Sequence, residues 1–281
     1  MEAKSKFVSA LTKDIAENRL VFPTLPELAF KIRKVVDDPH ITSDKIAKIV
    51  ATDAALSARL LQVANSVFFK GLNPVENIQT AVMRLGMACV RNVVTSLVMS
   101  QLYQAKKTRS IKHELHKSWV HSAKVAAITQ VFAKHYTKLN PHEALLAGLI
   151  HDIGALPVLS RAAYFPDILE DKPALHQVVH DMHSDIGKLI LEDWSFPAEL
   201  IEVAAMHENL HYDGGADPTF TDVVIIANLH CHIGCTEIKR PDTDWAEIPA
   251  FKKLDLTPEK SIAALTEAQS EIRDIQKLLM N

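Results

Sequence analysis

The pair His151-Asp152 closes an apolar run, Ala144-Leu145-Leu146-Ala147-Gly148-Leu149-Ile150. Burying an imidazole beside a carboxylate is costly unless hydrogen bonds, a counter-charge or a metal ion satisfies both. A mixed set of this kind suits Mn, Fe or Zn, and a bound divalent ion can generate hydroxide near neutral pH for attack on phosphorus. The dipeptide alone is a weak signal, because 14 histidines and 18 aspartates in 281 residues give about one such pair by chance. A second pair, His180-Asp181, lies among polar residues and is expected on a solvated face. Cys231 and Cys235, beside His230 and His232, could form a metal site on a helix. Small buried thiols are the simpler expectation, since recognised zinc patterns use other spacings.

The elements that must hold these groups are helices. Apolar residues recur at helical spacing from end to end, and only eight glycines serve the chain for tight turns. From Pro26, the residues Leu28, Ile32, Val35 and Val36 share one helical face until Asp37-Asp38-Pro39 stops it. Thr42, Asp53 and Asn77 are placed to cap the next three helices, whose inward stripes include Ile46, Leu60 and Val82. Gly86 stands where a glycine ends a helix, and a longer apolar helix follows from Met87 to about Tyr103. Trp119, Ala126 and Phe132 mark a long helix that pauses near Leu139. Asn140-Pro141-His142-Glu143 has the layout of a capped start, and that helix delivers His151-Asp152 at or near its end.

Val223-Val224-Ile225-Ile226 reads as helix, because Ala227, Leu229 and Ile233 extend it at helical spacing. Thr257-Pro258-Glu259 opens a final amphipathic helix running through Ile262, Leu265, Ile272, Ile275 and Leu279. The polar stretch from Gln104 to Lys112 is the candidate boundary. It divides the chain into an N-terminal helical bundle, residues 1–105, and a second helical lobe with the C-terminal helix, residues 106–281.

Composition narrows the function classes. With 48% hydrophobic and 23% charged residues, a disordered or fibrous chain is excluded. A net charge of −3 offers no broad positive field for a phosphate backbone, so nucleic acid is not an expected partner. The acids Glu2, Asp14 and Glu17 and the lack of an apolar core near the N-terminus do not fit a secretory signal. No apolar run is expected to span a bilayer, so no membrane partner is foreseen. Three cysteines give no disulfide framework and fit a cytoplasmic setting. There is no Gly-rich phosphate loop, and no organic cofactor is expected.

Several segments occur in an order that resembles the HD phosphohydrolase superfamily. They are Trp119-Val120-His121-Ser122, Gly148 through Gly154, His183 before Gly187, Trp194-Ser195-Phe196-Pro197 and Met206-His207-Glu208. Leu25-Pro26-Glu27-Leu28, Asp53-Ala54-Ala55-Leu56, Ala64-Asn65-Ser66-Val67-Phe68 and Ala81-Val82-Met83-Arg84-Leu85-Gly86 resemble the HDOD branch, the HD-related output domains. The resemblance covers about residues 20 to 235 and implies an all-α fold, an N-terminal helical bundle packed against an HD-like helical lobe. It implies His121, His151, Asp152, His183 and His207 as ligand positions, with Asp152 as the catalytic residue. Two positions depart from the pattern: Met206 stands where related two-metal enzymes have a second histidine, and Asn228 where they have an aspartate. An amide oxygen is a neutral, weaker ligand than a carboxylate. The Gly-Tyr-Pro element of the cyclic-dinucleotide-cleaving branch is missing after Asp213-Gly214-Gly215, which disfavours cyclic-di-GMP hydrolysis.

The resemblance implies a bacterial signal-transduction module with a degenerate, weakly or non-catalytic HD centre, served by a signalling protein or a small phosphate-containing ligand. The alternative is a metal-dependent phosphohydrolase acting on a nucleotide or another phosphate ester. At His121, His151 and Asp152 two states stay open, a divalent ion completed by water and Asn228 or an empty hydrogen-bonded network. His183 and His207 could instead cap a helix or face solvent. Asn65-Ser66 is expected to bond backbone groups at a helix end, and Trp119 and Trp194 to brace the second lobe.

Overall fold

The structure, a computed structural model, describes residues 2–17, 19–20, 23, 32, 35, 41–66, 69, 73–104, 109–232 and 244–280. In chain order the helices are α1 (Glu2–Ala16), α2 (Ser43–Val50), α3 (Ala54–Ala64), α4 (Ile78–Leu85), α5 (Met87–Gln104), α6 (Arg109–Tyr136), α7 (Pro141–Ile150) and α8 (Ala155–Ala162). They continue with α9 (Pro166–Glu170), α10 (Lys172–Asp193), α11 (Ala198–Met206), α12 (Phe220–Cys231), α13 (Pro249–Lys253), α14 (Pro258–Glu267) and α15 (Gln269–Met280). No strand occurs among the described residues, and Val223 to Ile226 are helical.

Helix starts follow the side-chain chemistry of the residue before them. Thr42, Asp53, Asn77, Asn140 and Thr257 each accept a hydrogen bond from a backbone N–H of the first turn, satisfying donors that the helix cannot pair internally. Gly86, at φ 76°, closes α4 and lets α5 leave in a new direction. The Asn65 side chain donates to the Val75 carbonyl and accepts from the Val75 N–H, both at 2.8 Å. It thereby ties the end of α3 to the segment before α4. Ser66 Oγ is buried with no partner.

The spine is the 28-residue α6, which packs on α5, α7, α8, α12 and α15. Its burial of Trp119, Ala126 and Phe132 supplies the apolar surface that organises the surrounding helices. Helices α2 to α5 pack among themselves and reach the rest of the molecule through α5, which lies on α6 and α7. Helix α1 lies against α8, α9 and α10, with Phe7 5.1 Å from Phe165 and Asp14 2.8 Å from Arg161.

The stretch Pro141–Ala162 is long and apolar enough to cross a membrane, contrary to the sequence reading, yet 78% of it is buried inside the protein. It is core, and it is broken around His151-Asp152, the start of a run of turn residues between α7 and α8. The C-terminal helix is two helices, because the backbone turns at Ala268 and α15 swings onto α6 and α5, burying Ile272, Ile275 and Leu279. Ile262, on α14, is left half exposed. Of the helix expected from Pro26, Ile32 and Val35 are described and helical. Its other residues, with Leu25 to Leu28, Val67-Phe68, the 105/106 boundary, Ile233 and Cys235, lie outside the described residues.

Two glycines set how closely helices approach. A Cβ at Gly148 would meet Ala126 Cα at 2.5 Å, and one at Gly154 would meet the His183 carbonyl oxygen at 1.9 Å and Gly187 N at 2.5 Å. These obstacles are backbone atoms, so no rotamer change relieves them. Gly148→Ala and Gly154→Ala are each expected to cost at least about 2 kcal/mol, measured by urea denaturation. A cost below about 0.5 kcal/mol for either would show that the helices can part freely.

Candidate functional site

Four helices deliver the candidate residues to one place. His121 comes from the middle of α6, His151 and Asp152 follow the end of α7, His183 lies on α10, and His207 caps α11. The close approaches at Gly148 and Gly154 bring α7 against α6 and the following turn against α10. Asp152 Oδ1 lies 3.3 Å from Nε2 of both His183 and His207. Its Oδ2 lies 3.5 Å from His151 Nε2 and 3.6 Å from His121 Nε2. The carboxylate is therefore shared by two pairs of imidazoles, and the ligand atoms form two overlapping groups, His121, His151, Asp152 and Asp152, His183, His207.

The opposite ring nitrogens determine the tautomers. His151 Nδ1 donates to the Gly148 carbonyl at 2.8 Å, His183 Nδ1 to Val179 and His180 carbonyls at 2.9 Å, and His207 Nδ1 to Val203 and Ala204 carbonyls at 3.1 Å. A carbonyl can only accept, so in the neutral rings Nδ1 carries the hydrogen and Nε2 offers a lone pair. Yet His183 Nε2 lies 3.0 Å from His207 Nε2, and His121 Nε2 lies 3.2 Å from His151 Nε2. The His183 and His207 lone pairs, facing one another beside a carboxylate, need positive charge between them, from a proton or from a metal ion. Backbone-anchored imidazoles whose Nε2 atoms face a common carboxylate are also the usual form of a metal-ligating set. The residues present fit a divalent ion.

Protonation follows the same arithmetic. Burial pushes His151 down to about 3, assisted by His207 and His121 and opposed by Asp152. Burial likewise lowers His121 and His183. Burial would lower His207 too, but its hydrogen bond and charge attraction to Asp152 raise it above the ordinary histidine range. Burial would raise Asp152, yet His151, His183, His207 and His121 together hold it well below the usual carboxylate range.

His183 and His207 neither cap a helix in solvent nor point outward, being 4% and 0% exposed. Asn228, on α12, donates from Nδ2 to Glu208 Oε1 at 3.1 Å, and its buried Oδ1, the atom that would ligate an ion, has no hydrogen-bond partner. Glu208 Oε1 is 3.9 Å from His207 Nε2. The sequence reading quoted Glu208 within Met206-His207-Glu208 without giving it a role; the acid beside a histidine was the available signal. His232, which the sequence places beside Cys231 in a possible separate metal site, instead has its ring 5.0 Å from that of His121. His180 and Asp181 are exposed, and Asp181 pairs with Lys4 at 3.3 Å. Cys231 is a buried thiol, and neighbouring His230 bonds Ser261 Oγ at 2.9 Å. Trp119 and Trp194 are both buried, Trp119 5.7 Å from Tyr103 and Trp194 donating to the Pro23 carbonyl.

A helical bundle with one aspartate shared among histidines from separate helices defines an HD-type protein. Residues 22–210 match the HDOD domain, and the chain belongs to that family. It is similar over 99% of its length to the whole of a Shewanella amazonensis protein provisionally named a metal-dependent phosphohydrolase, with 29% identity and a TM-score of 0.83. A Geobacter sulfurreducens HDOD domain protein of unknown function shares the fold at 21% identity, TM-score 0.67 and 92% coverage of both chains. A Marinobacter aquaeolei protein provisionally named a signal transduction protein also shares the fold, at 19% identity and TM-score 0.66, covering 100% of this chain and 66% of that one. An uncharacterised Treponema pallidum protein is 25% identical over 236 residues, 78% of this chain and 44% of that protein. The chain thus spans less than half the length of that relative.

The depressed His151 ties stability to pH in the metal-free protein. Between the unfolded value near 6.5 and the folded value of about 3, the unfolded chain binds a proton that the folded chain does not. Stability carried by neutral His151 is therefore complete above about pH 6.5 and is lost as the pH falls towards 3. Urea unfolding of chelator-treated protein from pH 7 to 4 is expected to show a slope of up to about 1.4 kcal/mol per pH unit from this group. The slope should shrink in His151→Asn, and an unchanged slope would exclude His151 as its source.

Proposed function

We propose that the chain is a regulatory module of bacterial signal transduction whose HD centre binds a divalent metal ion and has little or no hydrolytic activity. The observation that carries this reading is the make-up of the centre: one carboxylate, Asp152, serves four imidazoles. Asn228, the candidate for a further oxygen ligand, is held through its Nδ2 by Glu208 and would offer only a neutral amide oxygen. Met206, beside His207, supplies a thioether where a nitrogen ligand would strengthen a second ion site. The ligand set is thus rich in neutral nitrogen and poor in the negative charge that holds two hard or borderline cations together.

His121, His151 and Asp152 would hold the ion, with His183 and His207 on the other oxygen of Asp152. Mn, Fe or Zn matches these donors. A bound ion of this type supplies Lewis-acid polarisation and hydroxide near neutral pH. The carbonyl-anchored Nδ1 atoms keep three of the rings oriented, and the Asp152 carboxylate accepts at Oδ1 from His207 Nε2 when that ring carries the proton. In this reading the residues before the 105/106 division form the lobe that exchanges the signal with a partner protein or a small phosphate-containing ligand.

A second reading, phosphoester hydrolysis, is favoured by one observation. Glu208 places a partly exposed carboxylate 3.9 Å from His207 Nε2, at the edge of the centre, where it could take a proton.

The test is elemental analysis of protein purified without chelator, paired with an assay on bis(4-nitrophenyl) phosphate. At least one Mn, Fe or Zn per chain is expected in the wild type and none in Asp152→Ala. The metal-loaded wild type is expected to hydrolyse the diester within about tenfold of the Asp152→Ala background. Robust turnover that disappears in both Asp152→Ala and Glu208→Gln would replace the regulatory reading with the enzymatic one.

A further inference from the structure

A second cluster of unsatisfied polarity lies away from the histidine centre and shares no residue with it. Where α3, α5, α6, α7 and α15 meet there is a cleft of about 60 Å³. Its walls are apolar, with Val63, Val93, Leu145, Ile275 and Leu279 among them. At one side Phe69 stacks on His142, ring centroids 4.9 Å apart and planes 26° from parallel. Most polar groups of the lining already have partners. Ser96 Oγ donates to the Asn92 carbonyl at 2.8 Å, Gln130 Nε2 meets His142 Nδ1 at 3.4 Å, and Arg59 donates to Gln62 Oε1 at 2.8 Å.

Asn92 is the exception. It lines the cleft, its residue is 2% exposed, and both its side-chain nitrogen and oxygen are buried without a hydrogen-bond partner. An amide in that state is strongly disfavoured and calls for an occupant that supplies one acceptor and one donor side by side. The complement of a primary amide is another amide edge. An anion would satisfy the Asn92 NH2 but meet its carbonyl oxygen with like polarity. A purely apolar guest would satisfy neither atom.

We propose that this cleft binds a small neutral molecule carrying a primary or cyclic amide, whose N–H and C=O pair with Asn92. The cavity is about as large as the share of two liquid waters, so it takes the amide head and the first atoms beyond it. The apolar or aromatic remainder lies towards the open side beside Phe69 and Leu278.

The test uses the full chain and three probes of matched shape, benzamide, benzoate and toluene, followed by amide-proton shifts in NMR titrations. Benzamide is expected to shift the resonances of Asn92, Val93 and Leu145 and to bind about tenfold or more tightly than the other two. Asn92→Leu is expected to lose that preference, while its Tm rises by about 2–4 °C as the unpaired amide is removed. Val93→Phe, which fills the cleft, is expected to abolish benzamide shifts with the metal content unchanged, and it keeps the test decisive should Asn92→Leu fail to fold. No shift with benzamide up to its solubility limit, equal binding of the three probes, or unchanged benzamide affinity in either variant overturns the proposal.

Discussion

Four imidazole nitrogens crowd around one negative charge. The Asp152 carboxylate sits between two imidazole pairs, and the nitrogens that His151, His183 and His207 aim at it are acceptors in the neutral state. Such an arrangement is held together by the rest of the fold, because the groups themselves would separate in the absence of a shared proton or cation. Its electrostatics are visible in the opposed shifts within the cluster. Buried His151 loses basicity while His207, on the other oxygen, gains it from Asp152.

Backbone contact supplies the restraint. Gly148 lets α7 approach α6 at Ala126, and Gly154 lets the turn after Asp152 rest on the carbonyl of His183. The same glycines that permit the close approach thus fix the distance between the ligand-bearing segments. Helix α5 adds a support from the N-terminal side, with the buried Tyr103 hydroxyl donating to the Asp152 carbonyl at 3.4 Å and its ring beside Trp119. Desolvation raises the Tyr103 pKa first, and the Asp152 charge raises it further, so the phenol stays a donor.

The helices were legible because their starts are chemical: Thr42, Asp53, Asn77, Asn140 and Thr257 cap as side-chain geometry demands. The end of α7 at His151 was legible for a similar reason, since apolar periodicity stops there. The division of the last helix was not, because Ala268 is a good helix former and the turn is imposed by where α15 finds its apolar groove on α6. At the site, His151-Asp152 announced itself through polarity at the end of an apolar run. His121, His183 and His207 carried no local mark of that kind, and the family resemblance alone selected them from 14 histidines. Glu208 was hidden because an acid at a helix end is ordinary, and its meaning comes from Asn228, 20 residues away in sequence.

Helix α5 reaches both the apolar cleft and the histidine centre. Asn92 lies near its start and Tyr103 near its end, the former in the apolar cleft and the latter on the Asp152 carbonyl. Both residues ride on one hydrogen-bonded helix, so the positions of Asn92 in the cleft and of Tyr103 on the Asp152 carbonyl are set by the same packing. Packing of α5 on α6 and α7 therefore accommodates a buried, unpaired amide in one half and a phenol bonded to the site aspartate's carbonyl in the other.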